Sequence, residues 1–183
     1  AEDPEVHMNL GGVFMLQDMY ESAARSFRKV IELDPMDRLG YANLAAAYDC
    51  DNKYDEEIQI LKKILMFAPE DIELRSALST AYFNSEKYDE ALNHALCVIE
   101  LDEKDPQAYC NLGSCYSAQN MIDEAVKAFQ KASEIDPDYS LPHTNLGSLY
   151  ATIGRIEKAI KEFKMATNMN KSDGLAWMNL YSC

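Results

Sequence analysis

Basic residues are scarce in this chain: 17 Lys and Arg stand against 31 Asp and Glu, a formal net charge of −14. Phosphate backbones are held by Lys and Arg that displace counterions, so nucleic acid is excluded as an expected partner. Anionic membrane surfaces are disfavoured for the same reason, and the acidic surplus reads as a solvated exterior. Long apolar runs are missing too; none approaches the roughly 20 residues needed to cross a bilayer, so no membrane insertion is expected. The opening Ala1-Glu2-Asp3-Pro4-Glu5 has no basic-then-apolar signal layout. Cysteine is limited to five residues, an odd number with no C-x-x-C spacing. Cys110 and Cys115, five apart, fall on different faces of a helix. Free thiols in a reducing, cytoplasmic compartment are expected, and no zinc site. Glycine occurs only seven times and never as G-x-G-x-x-G or a phosphate-binding loop.

What the chain does have is a repeat. Phe14, Tyr48, Tyr82, Tyr116 and Tyr150 recur every 34 residues. Leu10, Leu44, Leu78, Leu112, Leu146 and Leu180 do the same without insertion. Inside each period the apolar spacing is helical: Tyr109, Leu112, Gly113 and Tyr116 run i, i+3, i+4, i+7. After a break at Gln119-Asn120-Met121 a second set follows, Ile122, Ala125, Val126, Phe129 and Ala132, until Asp136-Pro137 ends it. Each period is thus a helix, a tight turn and a second helix. Such a unit cannot bury its apolar face alone, so stability must come from stacking on neighbours.

Asn111-Leu112-Gly113, Asp123-Glu124-Ala125 and Asp136-Pro137, at these separations, resemble the tetratricopeptide repeat. The resemblance covers units at 4–37, 38–71, 72–105, 106–139 and 140–173, with a partial or capping helix at 174–183. It implies an all-α fold, a single α-solenoid array over 1–183 wound as a right-handed superhelix of antiparallel helix pairs, with first helices lining the concave side. Asp3-Pro4 resembles Asp105-Pro106, and the last helix stops at Cys183, so a fragment of a longer protein is expected. The small residue after each leucine (Gly11, Ala45, Ser79, Gly113, Gly147) lets paired helices approach closely, and Gly113→Leu should overpack that contact. Alanine recurs on the second helix as Ala23, Ala91, Ala125 and Ala159. Glu57 is the departure from that column, and the second unit is expected to be locally looser there.

Catalysis needs acid, base or nucleophile groups converging in a pocket, and no such set is visible; no catalytic residue, metal or cofactor is expected, and no enzyme. His7 and His143 share one repeat position with Tyr41, Arg75, Tyr109 and Trp177, which reads as packing. His94 falls on an outer helix and should be exposed. Asp49, Asp51 and Asp55 mimic a calcium loop, but Tyr54 and Ile60 occupy the slots that need Gly and Glu. Most of the nine methionines are assigned to ordinary interior or helix-end positions, with core as the default.

The column just before the leucine reads Asn9, Asn43, Ala77, Asn111, Asn145 and Asn179. One turn on it reads Gly12, Ala46, Thr80, Ser114, Ser148 and Ser182, all small. An asparagine amide both donates and accepts, so a column of them can pair with the peptide groups of an extended strand. This resembles the asparagine ladder of peptide-binding family members such as the tetratricopeptide arm of O-linked N-acetylglucosamine transferase. The alternative is that these asparagines only cap or cross-link neighbouring helices. The Lys-Asn-Asn-Lys-Arg clamp of members that bind chaperone C-termini is absent in every frame; from the first unit it would be Met8, Gly12, Asn43, Glu73 and Ala77. The resemblance implies a protein-interaction scaffold binding an extended peptide or partner helix, with Asn9, Asn43, Asn111, Asn145, Asn179, Thr80, Ser114 and Ser148 as contact residues. Four or five amide bonds at about 0.5–1.5 kcal/mol each offset little more than the cost of association, so affinity no tighter than about micromolar is expected. Two other roles stay open: the substrate-selecting arm of a larger glycosyltransferase-like enzyme, and a structural subunit that self-associates end to end through Leu175, Trp177, Leu180 and Tyr181.

Overall fold

The computed structural model describes residues 3–182. Ala1, Glu2 and Cys183, with the readings placed on them, lie outside the described residues. The chain divides into two compact units, Ala1–Lys87 and Tyr88–Cys183. Among the described residues there are eleven helices and no strand. The first unit holds α1 (Pro4–Leu16), α2 (Tyr20–Leu33), α3 (Arg38–Cys50), α4 (Tyr54–Leu65) and α5 (Ile72–Asn84). The second holds α6 (Tyr88–Leu101), α7 (Pro106–Ala118), α8 (Ile122–Ile135), α9 (Leu141–Thr152), α10 (Ile156–Met169) and α11 (Gly174–Ser182). Within each unit every helix packs on the next, and in the second unit α9 also touches both α7 and α11. The fold is therefore all-α, an α-solenoid of stacked helix pairs.

Local chemistry sets the helix ends. Aspartates at one repeat position cap most of the first helices: Asp37 Oδ1 accepts from the Leu39 and Gly40 amides at 2.9 and 3.2 Å. Asp71 accepts from Leu74 at 3.1 Å, Asp105 from Gln107 at 2.8 Å, and Asp173 from Ala176 at 2.9 Å. Each carboxylate occupies an otherwise unpaired N–H of the first turn. At the turn inside each pair the chain enters the left-handed region, at Asp18, Asn52, Glu86, Asn120 and Gly154 (φ 55–74°). The next amide then reaches back to the repeating aromatic: Met19 N–H donates to Phe14 O at 2.9 Å and Arg155 N–H to Tyr150 O at 2.8 Å. This is the closing bond of a Schellman turn, for which glycine or asparagine is the favoured residue. Glu86 (φ 61°) is neither. Glu86→Gly should relieve a left-handed β-carbon and stabilise the protein by about 0.5–1 kcal/mol, after the extra chain entropy glycine brings to the unfolded state. Chemical denaturation reads it directly, and a midpoint that does not rise contradicts it.

The cores are made of the repeating positions. Phe27, Phe129 and Phe163 are at most 2% exposed. A β-carbon placed on Gly11, Gly113 or Gly147 would lie 2.4–2.6 Å from the ring of the phenylalanine on the paired helix. The glycines are thus there to admit those rings. Leu44, Leu78, Leu112 and Leu146 are buried, but Leu10 is 42% exposed. Leu10 belongs to α1, which packs chiefly on α2, whereas α3, which carries Leu44, packs on both α2 and α4.

Two expectations need correcting. No methionine is buried; Met19, Met36, Met66, Met121, Met169 and Met178 are all exposed large hydrophobics. Five of these six lie at helix termini or in the turns between helices, where the side chain has packing on one side only. His94 is half-buried and not exposed, because a second helix in a stack has its flanks partly covered.

Candidate functional site

The first helices position every residue of the asparagine column. In the first unit Asn9 sits on α1 and is exposed, while Asn43 on α3 is half-buried and donates through Nδ2 to Met8 Sδ at 3.2 Å. Thr80 on α5 is exposed, its hydroxyl donating back to the Ser76 carbonyl at 3.2 Å. Ala77 leaves a gap between them.

The second unit carries the denser set. Asn111, Asn145 and Asn179 lie on α7, α9 and α11, first helices that are neighbours in space, and all three are half-buried. Their amides are engaged to different degrees. Tyr139 Oη donates to Gln107 Oε1, and Gln107 Nε2 donates in turn to Asn111 Oδ1 at 2.8 Å. That chain occupies the Asn111 carbonyl and leaves its Nδ2 covered and without a partner. A buried donor with no acceptor costs about 1–3 kcal/mol, which a ligand carbonyl would recover once the amide turned outward. Asn179 Nδ2 approaches Ser148 Oγ at 3.4 Å, and Ser148 itself donates to Thr144 O at 3.0 Å. The Asn145 amide makes no hydrogen bond among the described residues. Some of the asparagines therefore tie helices together, while the Asn145 amide stands free. Ser114, half-buried on α7, is one turn beyond Asn111. Gln107 and Tyr139 are absent from the sequence-based set; Gln107 stands one turn before Asn111, at i and i+4, the only signal that could have found it.

Beneath this face a part-buried lateral bond, Thr144 Oγ1 to Asp173 Oδ2 at 2.8 Å, joins α9 to the cap of α11. Two of the second unit's thiols, both on α7, are closed to chemistry. Cys110 and Cys115 are free and buried, α7 being covered on both flanks. Burial, followed by the Asp105 charge, pushes the Cys110 thiol up to about 12, and burial pushes Cys115 to about 11. Both stay protonated and unreactive at neutral pH.

A separate cleft of about 430 Å³ opens between α8, α9 and α10, with His143 and Leu146 at its floor and Lys161 and Glu162 on one wall. His143 Nδ1 lies 2.8 Å from Glu162 Oε2. This pair fills a packing position, and no group of three or more His, Cys, Asp or Glu able to hold a metal occurs among the described residues. No helix among them is long and apolar enough to cross a membrane.

Comparison with known proteins places the repeats. Family profiles described as tetratricopeptide repeat match residues 4–36, 106–139 and 128–161. Solved structures with the same fold include MamA, 24% identical with a TM-score of 0.73 over 92% of each chain. YrrB, described as a tetratricopeptide repeat protein with an unusual peptide-binding site, is 26% identical with a TM-score of 0.66 over 96% of this chain and 91% of its own. TTC0263, a thermophilic tetratricopeptide repeat protein of Thermus thermophilus, is 17% identical with a TM-score of 0.78 over 98% of both. No curated protein matches the sequence at a significant level.

Proposed function

We propose that this tetratricopeptide repeat protein is an interaction scaffold whose first-helix asparagines hold the main chain of an extended peptide. One observation carries the reading: Asn111, Asn145 and Asn179 recur at one position on three adjacent first helices, and the middle amide is unengaged. Regularly spaced amides suit a ligand that is itself regular, which a peptide backbone is and its side chains are not. The single-array organisation over 1–183, units 4–37 to 140–173 with a terminal helix, is part of this proposal, since one continuous ladder needs it. The likeness to the ladder of O-linked N-acetylglucosamine transferase supports the same mode, and the peptide-binding site named for YrrB supports a peptide as the ligand. Binding is no tighter than about micromolar, for the reason that net hydrogen-bond energies of about 0.5–1.5 kcal/mol barely exceed the cost of association. Asn145→Ala should weaken peptide binding about three- to tenfold and Asn111→Ala less, because Asn111 must first give up Gln107. Fluorescence polarisation with a peptide library checks this; equal affinities for both variants and the parent protein end the ladder reading.

A second reading, self-association through α11, has its own support. Leu175, Met178 and Tyr181 are 51%, 60% and 83% exposed, and Trp177 stacks on Tyr181 with ring centroids 6.0 Å apart. Apolar surface of this kind recruits partners. Light scattering over a concentration series should show a growing species that Tyr181→Glu abolishes; a monomer throughout rules this second role out.

A further inference from the structure

The charge of the second unit is segregated by helix. α7, α9 and α11 contain no Asp, Glu, Lys or Arg at all. Each of α6, α8 and α10 carries three or more charged residues, in a chain whose net charge is −14. The first unit does not share this division, since Glu5 lies on α1, Arg38 and Asp49 on α3, and Glu73 and Arg75 on α5. The two aspartates nearest these helices, Asp105 and Asp173, are committed to capping amides, and Asp173 also accepts the Thr144 hydroxyl. His143, the one titratable ring on α9 besides Tyr150, is buried against Glu162 of α10.

We infer that the first-helix face of the second unit selects an uncharged stretch of extended peptide, rich in residues such as Ser, Thr, Ala, Val and Pro. This rests on the peptide-binding reading above and specifies its ligand. A charged ligand side chain laid across α7, α9 and α11 loses water and meets no counter-charge, only amides, hydroxyls and apolar carbon. An uncharged segment bears no such cost, and its peptide groups can pair with Asn145 and with Ser114. Neighbouring helices lie about 8–10 Å apart and an extended residue spans about 3.3–3.6 Å, so three first helices read about five or six residues. Beyond that stretch the chain's net negative charge tolerates, and at long range favours, basic flanks.

The test uses the full chain and fluorescein-labelled peptides built from Ser, Thr, Ala, Val and Pro, with a single Lys or a single Glu walked through each position. Within a central window of about five or six positions either substitution should lower affinity about tenfold or more, and binding of the uncharged parent should change less than about twofold between low and high salt. Ser148→Asp should convert the window, restoring Lys-substituted peptides and further excluding Glu-substituted ones. Charged peptides that bind as well as the parent, or parent binding that falls steeply with salt, overturn the inference while leaving the asparagine ladder standing. Loss of the ladder by Asn145→Ala insensitivity leaves charge exclusion measurable in the same titrations. An uncharged library that never binds overturns both.

Discussion

Glu57→Ala should raise the melting temperature at pH 8 and change it little at pH 5. Glu57 stands on α4 at 7% exposure, and its Oε2 has no hydrogen-bond partner. Burial, and then the charge of Asp49, pushes its carboxyl from 4.5 to about 7. A carboxyl whose folded pKa is raised binds a proton more readily in the native state than in the unfolded one. Stability from this group is therefore greatest below about pH 4.5, declines as pH rises through the interval to about 7, and is lowest above it. That span corresponds to about 3 kcal/mol. Alanine occupies the same repeat position as Ala23, Ala91, Ala125 and Ala159, each 0% exposed, so the packing already accepts it. Removing the carboxyl should then stabilise the protein by about 2–3 kcal/mol at pH 8, where the native state carries the buried charge, and by far less at pH 5. For a chain of this size each kcal/mol is worth about 2–4 °C. Thermal melts of the parent, Glu57→Ala and Glu57→Gln at both pH values check it. Glu57→Gln should flatten the pH dependence without gaining the full stability, since its amide remains buried. A difference between parent and Glu57→Ala that is the same at pH 5 and pH 8 would falsify the linkage.

Glu57 also marks how far the sequence could be read. Its charge in an alanine column is visible in a string of letters, but whether the side chain escapes to solvent depends on what α3 and α5 leave open around it. The helices were legible because a 34-residue period puts apolar residues at helical spacing again and again. The left-handed turn residues were not, since Asp18, Asn52, Glu86, Asn120 and Gly154 share a conformation without sharing chemistry. The closing backbone bond imposes the conformation, and the side chain only adjusts its cost. Leu10 and Leu44 are the same letter in the same column, yet only Leu44 has a helix on both sides. The asparagine column was equally plain, whereas the state of each amide was not. Asn111 is tied down by Gln107, Asn179 by Ser148 and Asn43 by Met8, and these partners come from a neighbouring turn or from the preceding repeat. One-dimensional periodicity finds the column; only three-dimensional placement distinguishes the amide of Asn145 from the others.

Gly113→Leu should be strongly damaging, costing about 3 kcal/mol or more. Glycine in mid-helix is ordinarily a weakness, and replacing it by alanine gains about 1 kcal/mol from helix propensity alone. At Gly113 packing reverses that sign. A β-carbon there falls 2.6 Å from Cε1 and 2.7 Å from Cδ1 of Phe129. The ring cannot swing clear, because it is 2% exposed and fixed in a core with Cys110, Ala125, Ala132 and Leu146. Gly113→Ala should therefore already destabilise, by about 1–2 kcal/mol, and the three further carbons of leucine demand that α7 and α8 separate. Gly12 supplies the control: nothing lies within 4 Å of a β-carbon there, so Gly12→Ala should stabilise by about 0.5–1 kcal/mol. The second repeat shows the remedy, with Ala45 and Leu61, both buried, at the positions of Gly113 and Phe129. In a double-mutant cycle, Gly113→Ala combined with Phe129→Leu should lose less than the two single changes added together, a coupling of about 1 kcal/mol or more. Strict additivity in urea denaturation would mean that ring and glycine do not constrain each other, and that the recurrence of Gly11 with Phe27, Gly113 with Phe129 and Gly147 with Phe163 has some cause other than fit.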